Sequence, residues 1–293
     1  MKALLNRGLL ALLLASAACQ SAGVDDSYLL VDADSTLPVP LTEVAQQLAQ
    51  ADVVFLGELH DSHGGHRFQR EMLAELYQLR PDLILSLEMF ERDVQESLDA
   101  WLAGALDEDE FLETARPWSN YREHYRPMVW FAKEQGLRVL AANVPRPLAS
   151  RVAKEGLPSV QGEAHLPREV FVGGPEYRRR FMETLHHHPG ADLDPEKAER
   201  WFAAQCLKDA AMAESIFHAL GEAGEAAPLV VHLCGRFHSD AGLGTAEQLA
   251  RLRPDLQFGL VTMVEAKALT TIPEPVPRGE AEWVVVVRPA PKK

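Results

Sequence analysis

The sequence has few cysteines and lacks the short motifs that mark many cofactor and catalytic sites. Its three cysteines include no Cys-x-x-Cys pair, which excludes the common zinc-finger pattern. Cys206 and Cys234 are expected to be buried free thiols, with a single disulfide as the alternative. A glycine-rich phosphate loop and a Gly-x-Ser-x-Gly nucleophile turn are both absent. Positive charge is also scarce, and a net charge of −14 makes nucleic acid an unsuitable partner.

The N-terminal apolar run is too short to span a bilayer. It covers Leu9 to Leu14 after a basic start and is followed by Ser16-Ala17-Ala18-Cys19. This pattern is typical of a secretory signal and resembles a bacterial lipobox, although serine at its first position is unusual. We therefore expect residues 1–19 to be a lipoprotein signal peptide with a lipidated Cys19. A cleaved signal with an incidental cysteine is the alternative. Gln20 favours the outer membrane, so a lipid-anchored protein of the bacterial cell envelope is expected.

Helical and strand-like segments alternate along the rest of the chain. This alternation predicts an α/β fold with a mostly parallel (mixed) central sheet flanked by helices. Residues 20–144 are expected to form the first half of the domain and residues 228–293 the second half. The intervening residues 145–227 contain no convincing strand and are predicted to be a helical insertion. Little room for a helix remains between the last two strands, which predicts that they form an antiparallel edge.

A polar, histidine-rich turn follows the apolar run Val53-Val54-Phe55-Leu56. Gly57 ends the apolar run, and Glu58, His60, His63 and His66 come directly after it. Ligands bind in α/β proteins at the carboxyl ends of the parallel strands. The turn is therefore predicted to deliver these side chains to a binding crevice.

The same pattern recurs near the end of the chain, where Gly235 precedes His238 with the same spacing. Glu88 closes the second strand and Asn143 closes the third, so four strand ends bring polar groups to one crevice. Because imidazole and carboxylate groups are good ligands for divalent metals, Glu58, His60, Glu88 and His238 are a candidate metal site. Each histidine taken alone is more typical of a structural residue. The prediction of a site rests on the two matching Gly-x-x-His strand ends together.

These motifs resemble the Tiki/TraB/EreA/ChaN superfamily, and within it the haem-binding ChaN-like lipoproteins. The resemblance covers nearly the whole mature chain and rests on several segments beyond the two Gly-x-x-His motifs. These segments are Leu87-Glu88-Met89-Phe90, Gln95, the run from Trp118 to Pro127, Phe131-Ala132 and the run from Gly136 to Arg146.

The resemblance implies a membrane-anchored protein that takes part in haem and iron uptake. It implies a homodimer formed on haem binding around two cofacial ferric haems, each held by one tyrosine, with a partner histidine nearby. An outer-membrane haem-uptake system is a further expected partner. Tyrosinate suits this role because it is a hard anionic ligand for ferric haem.

Tyr177 is the preferred candidate for that tyrosine, because it follows the break Gly173-Gly174-Pro175 and opens a helix. Tyr121 and Tyr125 belong to the signature near the crevice and stay open as alternatives. Basic residues near Tyr177 are predicted to meet the haem propionates and the partner's haem; they are Arg178, Arg179, His186, His187 and His188.

Two functions from different classes remain. The first is a haem-binding lipoprotein without enzymatic activity, which we favour. The alternative is a metal-dependent hydrolase in which the two Gly-x-x-His motifs bind a divalent metal. In that case, Glu58 or Glu88 would act as ligand or as general base for a bound water.

Overall fold

The computed structural model describes residues 27–186, 194–221, 227–269 and 279–290 of the 293-residue chain. In chain order the strands of this part are β1 Tyr28–Asp32, β2 Val53–Glu58, β3 Leu83–Glu91, β4 Arg138–Asn143, β5 Leu229–Gly235, β6 Phe258–Glu265 and β7 Trp283–Val287. The α-helices are α1 Leu41–Leu48, α2 His63–Leu79, α3 Gln95–Leu102, α4 Glu108–Ala115, α5 Tyr121–His124, α6 Arg126–Glu134, α7 Arg146–Glu155, α8 Pro175–His186, α9 Pro195–Leu220 and α10 Thr245–Leu252. None of these described helices is long and apolar enough to cross a membrane.

The seven strands form one sheet in the order β1-β7-β6-β2-β5-β3-β4. Every neighbouring pair is parallel except β1 and β7, which are antiparallel. The predicted α/β fold with a mostly parallel mixed sheet is therefore confirmed.

The prediction for the last two strands is wrong, because β6 and β7 pair in parallel. Residues 266–282 lie between them, and this connection supplies the dozen or more residues that a parallel crossover needs. The antiparallel edge is formed instead by β1, a strand that the sequence pattern did not reveal.

The central strands are buried on both faces, as parallel strands covered by two helical layers must be. Alternate residues of β2 face different cores, since successive side chains of a strand point to opposite faces. Val54 and Leu56 join the larger core, which includes side chains of α2, α3 and α6. Val53 and Phe55 join the second core, which includes side chains of α9 and α10.

The apolar spacing of the sequence predicts a helix from about His66 to Leu79 and another from Tyr121 to Gln135, and the structure differs at both. Helix α2 begins at His63 rather than near His66, because the Ser62 hydroxyl accepts a hydrogen bond from the Gly65 amide at 3.1 Å and caps the helix. The single helix predicted over residues 121–135 is divided into α5 and α6 at Tyr125. Pro127, which has no amide hydrogen, lies in the first turn of α6, where that loss costs nothing.

The described part of the segment 145–227 contains α7, α8 and α9 and no strand. Met212 and Ile216 of α9 are buried against the sheet, so this helix completes the second core. Residues 1–19, with Cys19, lie outside the described residues. The domain boundaries therefore stay predictions.

Candidate functional site

The carboxyl ends of four neighbouring strands bring polar side chains together. Glu58 at the end of β2 pairs in register with Gly235 at the end of β5. Glu88 of β3 lies on the other side of β5 and accepts a hydrogen bond from the Gly235 amide at 2.7 Å. Asn143 ends β4, and its side-chain amide donates to the Glu88 carbonyl at 3.1 Å. The sequence correctly placed these residues at one edge of the sheet.

Glu58 is a buried carboxylate that three side chains surround. His60 Nδ1 lies 2.8 Å from one oxygen, the Tyr125 hydroxyl donates to the same oxygen, and Gln69 donates to the other at 2.8 Å. Burial alone raises the pKa of Glu58, but the His60 hydrogen bond and the charges of His66 and His60 outweigh it and hold the pKa below its usual value. Glu58 is therefore ionised and fixes the ring of His60.

His238 forms a second buried pair with carboxylates. Its Nδ1 atom lies 2.6 Å from Asp209 of α9, and its Nε2 atom lies 3.3 Å from Glu88. Burial lowers the pKa of His238, but the charges of Glu88 and Asp209 outweigh burial and raise it to about 10. Both ring nitrogens therefore donate, and His238 is an imidazolium at neutral pH.

The four residues predicted as metal ligands line one cavity but form two separate pairs. Glu58, His60, Glu88 and His238 all border it. Their ligand atoms do not converge on one point. Among the described residues, one group of three or more such side chains has its ligand atoms within 4.8 Å of one another, and it is a different set, His63, Glu123 and His124. Asp209 holds the Nδ1 atom of His238, and the Nε2 atom of this ring lies 3.3 Å from Glu88, so a metal at Nε2 would first have to displace the proton that faces Glu88. Of these two histidines, His60 is the one that keeps a ring nitrogen, Nε2, without a hydrogen-bond partner among the described residues.

An open groove of about 790 Å³ lies beside these pairs. His60 lines it with a side chain that is 44% exposed, and the His60 ring stands edge-on to Trp118 at 4.9 Å between centroids. The lining also includes three aromatic side chains, Trp118, Phe181 and Trp201, and three cations, Arg116, Arg146 and Lys208. Arg116 is paired with Glu91 and Asp93. Neither Arg146 nor Lys208 has an ion-pair partner within 4.0 Å in the described part of the chain. The groove thus combines flat apolar surfaces, an imidazole and unpaired positive charge.

Tyr177 does not line this groove. Its side chain is 1% exposed, and its hydroxyl donates to Asp209 at 2.7 Å. Burial and the charge of Asp209 raise the pKa of Tyr177 well above its usual value. Tyr177 also stacks on Phe237 at 5.1 Å. Binding of iron by this phenol therefore requires that it first leave Asp209.

The two arginines predicted beside Tyr177 are paired within the chain. Arg178 contacts Glu199, and Arg179 contacts Glu176 and Glu183. These carboxylates already occupy the guanidinium groups that the prediction assigned to haem propionates.

The predicted histidine run lies at the edge of the described structure. His186 ends α8, and its side chain, like the whole of His187 and His188, lies outside the described part of the chain. Their roles stay predictions.

Three residues of the site make contacts that the sequence did not predict. Asp209 lies within the apolar stripe of α9, a pattern typical of a core or dimer face, and a carboxylate amid that stripe is the signal that could have revealed it. Tyr125 was seen as part of the signature, but its contact with Glu58 was not. Gln69 gives no signal, because a glutamine on α2 is ordinary for a helix surface.

The fold and the site define an α/β protein with a ligand groove at the carboxyl edge of its sheet. The model of the family described as "Haem-binding uptake, Tiki superfamily, ChaN" matches residues 44–249, and the chain belongs to this family. This confirms the resemblance seen in the sequence. No curated protein matches the chain in sequence.

A solved structure supports the fold. ChaN of Campylobacter jejuni, whose structure describes cofacial haem binding, is similar with a TM-score of 0.70 and 16% identity, over 90% of this chain and 98% of that chain. A mutant of the erythromycin esterase EreC in its open conformation aligns with a TM-score of 0.47 and 14% identity, over 84% of this chain and 78% of that chain.

Proposed function

We propose that this protein binds haem in the groove at the carboxyl edge of the sheet. Haem is a large apolar plate with two carboxylates, so a haem site needs flat apolar walls, cations and a ligand for iron. The observation that carries the proposal is the presence of all three in one groove, on a chain that belongs to a haem-binding family.

His60 is the iron ligand that the geometry favours. Its side chain is half exposed in the groove, and its Nδ1 atom is held by Glu58 at 2.8 Å. The Nε2 atom is therefore the nitrogen left for iron. A carboxylate partner fixes the orientation of a ligating imidazole and raises its basicity. Tyr177, the choice made from the sequence, is the competing ligand.

Arg146 and Lys208 are the proposed partners of the haem propionates. Both line the groove, and both are unpaired among the described residues, whereas Arg178 and Arg179 are paired with glutamates. An unpaired cation gains an ion pair when a haem propionate binds. A paired cation must first give up the glutamate that it already contacts.

The finer parts of the proposal follow from the family and from the N-terminal sequence. We propose that lipidated Cys19 tethers the protein to the bacterial envelope, where it delivers haem to an uptake system. A second copy would cover the exposed haem face, so a homodimer is expected with haem. The hydrolase alternative has weaker support, since no three of Glu58, His60, Glu88 and His238 have ligand atoms within 4.8 Å of one another.

The test is a titration of the purified, tag-free chain with hemin, followed by absorbance and by size measurement. We expect saturation at one haem per chain and a larger assembly in the saturated sample. His60→Ala should weaken binding and change the ferric spectrum, whereas Tyr177→Phe should leave the spectrum unchanged. The control is His218→Ala, which removes an exposed histidine of α9.

The outcomes separate the ligands. A tyrosinate-type spectrum that is lost in Tyr177→Phe and kept in His60→Ala would assign the iron to Tyr177. A variant with alanine at residues 186–188 shows whether the histidine run binds hemin by itself. Absence of saturable binding in the unmodified chain would overturn the proposed function.

A further inference from the structure

A second cluster of metal-ligating side chains lies beside the groove, where the first turn of α2 meets α5. It consists of His63, Glu123 and His124, whose candidate ligand atoms all lie within 4.8 Å of one another. His63 begins α2 and His124 ends α5. Within the described residues, this is the one group of three or more histidine, cysteine or acidic side chains with such spacing.

The distances suit a divalent transition metal. Zinc binds histidine nitrogen and carboxylate oxygen at about 2.0–2.2 Å, so two ligand atoms of a tetrahedral site lie about 3.4 Å apart. His63 Nε2 lies 3.4 Å from Glu123 Oε1. These two side chains are 60% and 62% exposed, and they can therefore adjust to a metal without disturbing the core.

The third ligand, His124, is held in place by ring packing and has no hydrogen-bond partner among the described residues. The ring of His124 stacks on His66 with centroids 4.3 Å apart and meets His63 edge-on at 4.9 Å. Neither ring nitrogen of His124 has a hydrogen-bond partner among the described residues. An ion pair between His63 and Glu123 alone would leave this buried imidazole unexplained.

The charge around the cluster is balanced for a cation. The positive end of α2 opposes a bound cation, because helix amides point outward there. The carboxylates of Glu123 and Asp61 offset it, and Asp61 acts electrostatically on His124.

We propose that His63, Glu123 and His124 bind a divalent first-row transition metal such as Zn²⁺, with the remaining coordination position open to water. Two imidazoles and one carboxylate are ligands that Zn²⁺ and its neighbours prefer. The site is separate from the residues assigned to haem and does not rest on the proposed haem function.

The test is a titration of the tag-free, haem-free full chain with Zn²⁺ against a chromophoric chelator. The chain carries alanine at residues 186–188, so that this histidine run does not compete. We expect one Zn²⁺ per chain. His63→Ala should weaken binding more than roughly tenfold, because loss of even an outer partner costs 10- to 100-fold. Glu123→Gln should also weaken binding, and His218→Ala should not.

Both test substitutions lie at exposed positions, so the fold should be retained, and circular dichroism checks this. Co²⁺ in place of Zn²⁺ gives an absorbance band that reports ligand geometry and should change in His124→Gln. Zn²⁺ binding that survives both His63→Ala and Glu123→Gln would overturn the proposal. The proposal would also be overturned if Zn²⁺ binding were lost in His60→Ala alone, or if the starting chain bound no Zn²⁺.

Discussion

The Nδ1 atom of His238 lies 2.6 Å from Asp209, while its Nε2 atom lies 3.3 Å from Glu88. The three residues belong to the turn after β5, to α9 and to β3. One imidazolium therefore ties the longest helix to the centre of the sheet. Asp209 also accepts hydrogen bonds from the hydroxyls of Tyr177 and Thr245, at 2.7 and 2.9 Å.

Asp209→Ala should strongly destabilise the fold, because it leaves His238 as a buried cation with one partner fewer. Loss of one partner of a buried ion pair typically costs about 3–5 kcal/mol. Urea unfolding at pH 7 measures the change. Asp255→Ala is the control, since this exposed carboxylate pairs with Arg253 at the surface and should have little effect. Equal stability of the two variants would contradict the assigned role of Asp209.

The free energy of unfolding should fall at alkaline pH because of His238. Its folded-state pKa, about 10, lies above the ordinary histidine value of 6.5. The stabilisation is therefore complete below pH 6.5 and is lost as pH rises through about 10. His238→Gln should flatten this decline, whereas His218→Gln should retain it. Unfolding curves recorded between pH 6.5 and 10 give the comparison, and parallel declines in both variants would count against this assignment.

Gly235→Ala should disturb His60 without changing any charge. A Cβ atom at residue 235 would lie 2.8 Å from His60 Cε1 and 2.9 Å from Nε2, so the ring must shift. If His60 binds iron, hemin affinity should fall by roughly tenfold, which corresponds to about 1.4 kcal/mol. Gly174→Ala is the matched control, because its nearest neighbour is a flexible Glu247 oxygen at 3.4 Å. Unchanged hemin affinity in Gly235→Ala would argue for another ligand.

Arg146→Ala and Lys208→Ala should each weaken hemin binding, by roughly two- to fivefold for partly exposed charges. Arg179→Ala should change affinity little, since Glu176 and Glu183 already hold that guanidinium. The differences should shrink at high salt and vanish with hemin dimethyl ester, which has no free carboxylates. If the ester shows the same differences, the two cations do not bind the propionates.

The sequence was sufficient for the central parallel strands and for the edge at which the polar residues meet. Strands that are buried on both faces appear as continuous apolar runs, and the residue that follows each run reaches the carboxyl edge. For this reason Glu58, Glu88 and Asn143 were placed correctly. Strand β1 was not predicted, because its one sheet partner, β7, lies at the far end of the chain.

The partners within the site were not predictable from the motifs. Whether His238 faces a metal or two carboxylates depends on Asp209, which α9 brings across the sheet. Likewise, Tyr177 follows a glycine-rich break that suggests exposure, but Phe202 and Phe237 bury it. Such contacts depend on the packing of distant segments, which no local pattern records.

The pairing of β1 with β7 sets the order in which the fold can be completed. Tyr28 pairs with Val287, so the first strand to leave the ribosome must wait for the last one before it joins the sheet. Contacts this distant in sequence form slowly. Until β7 is made, β1 lacks its partner in the sheet, and a chain truncated before β7 would leave both β1 and the β6 edge open to aggregation.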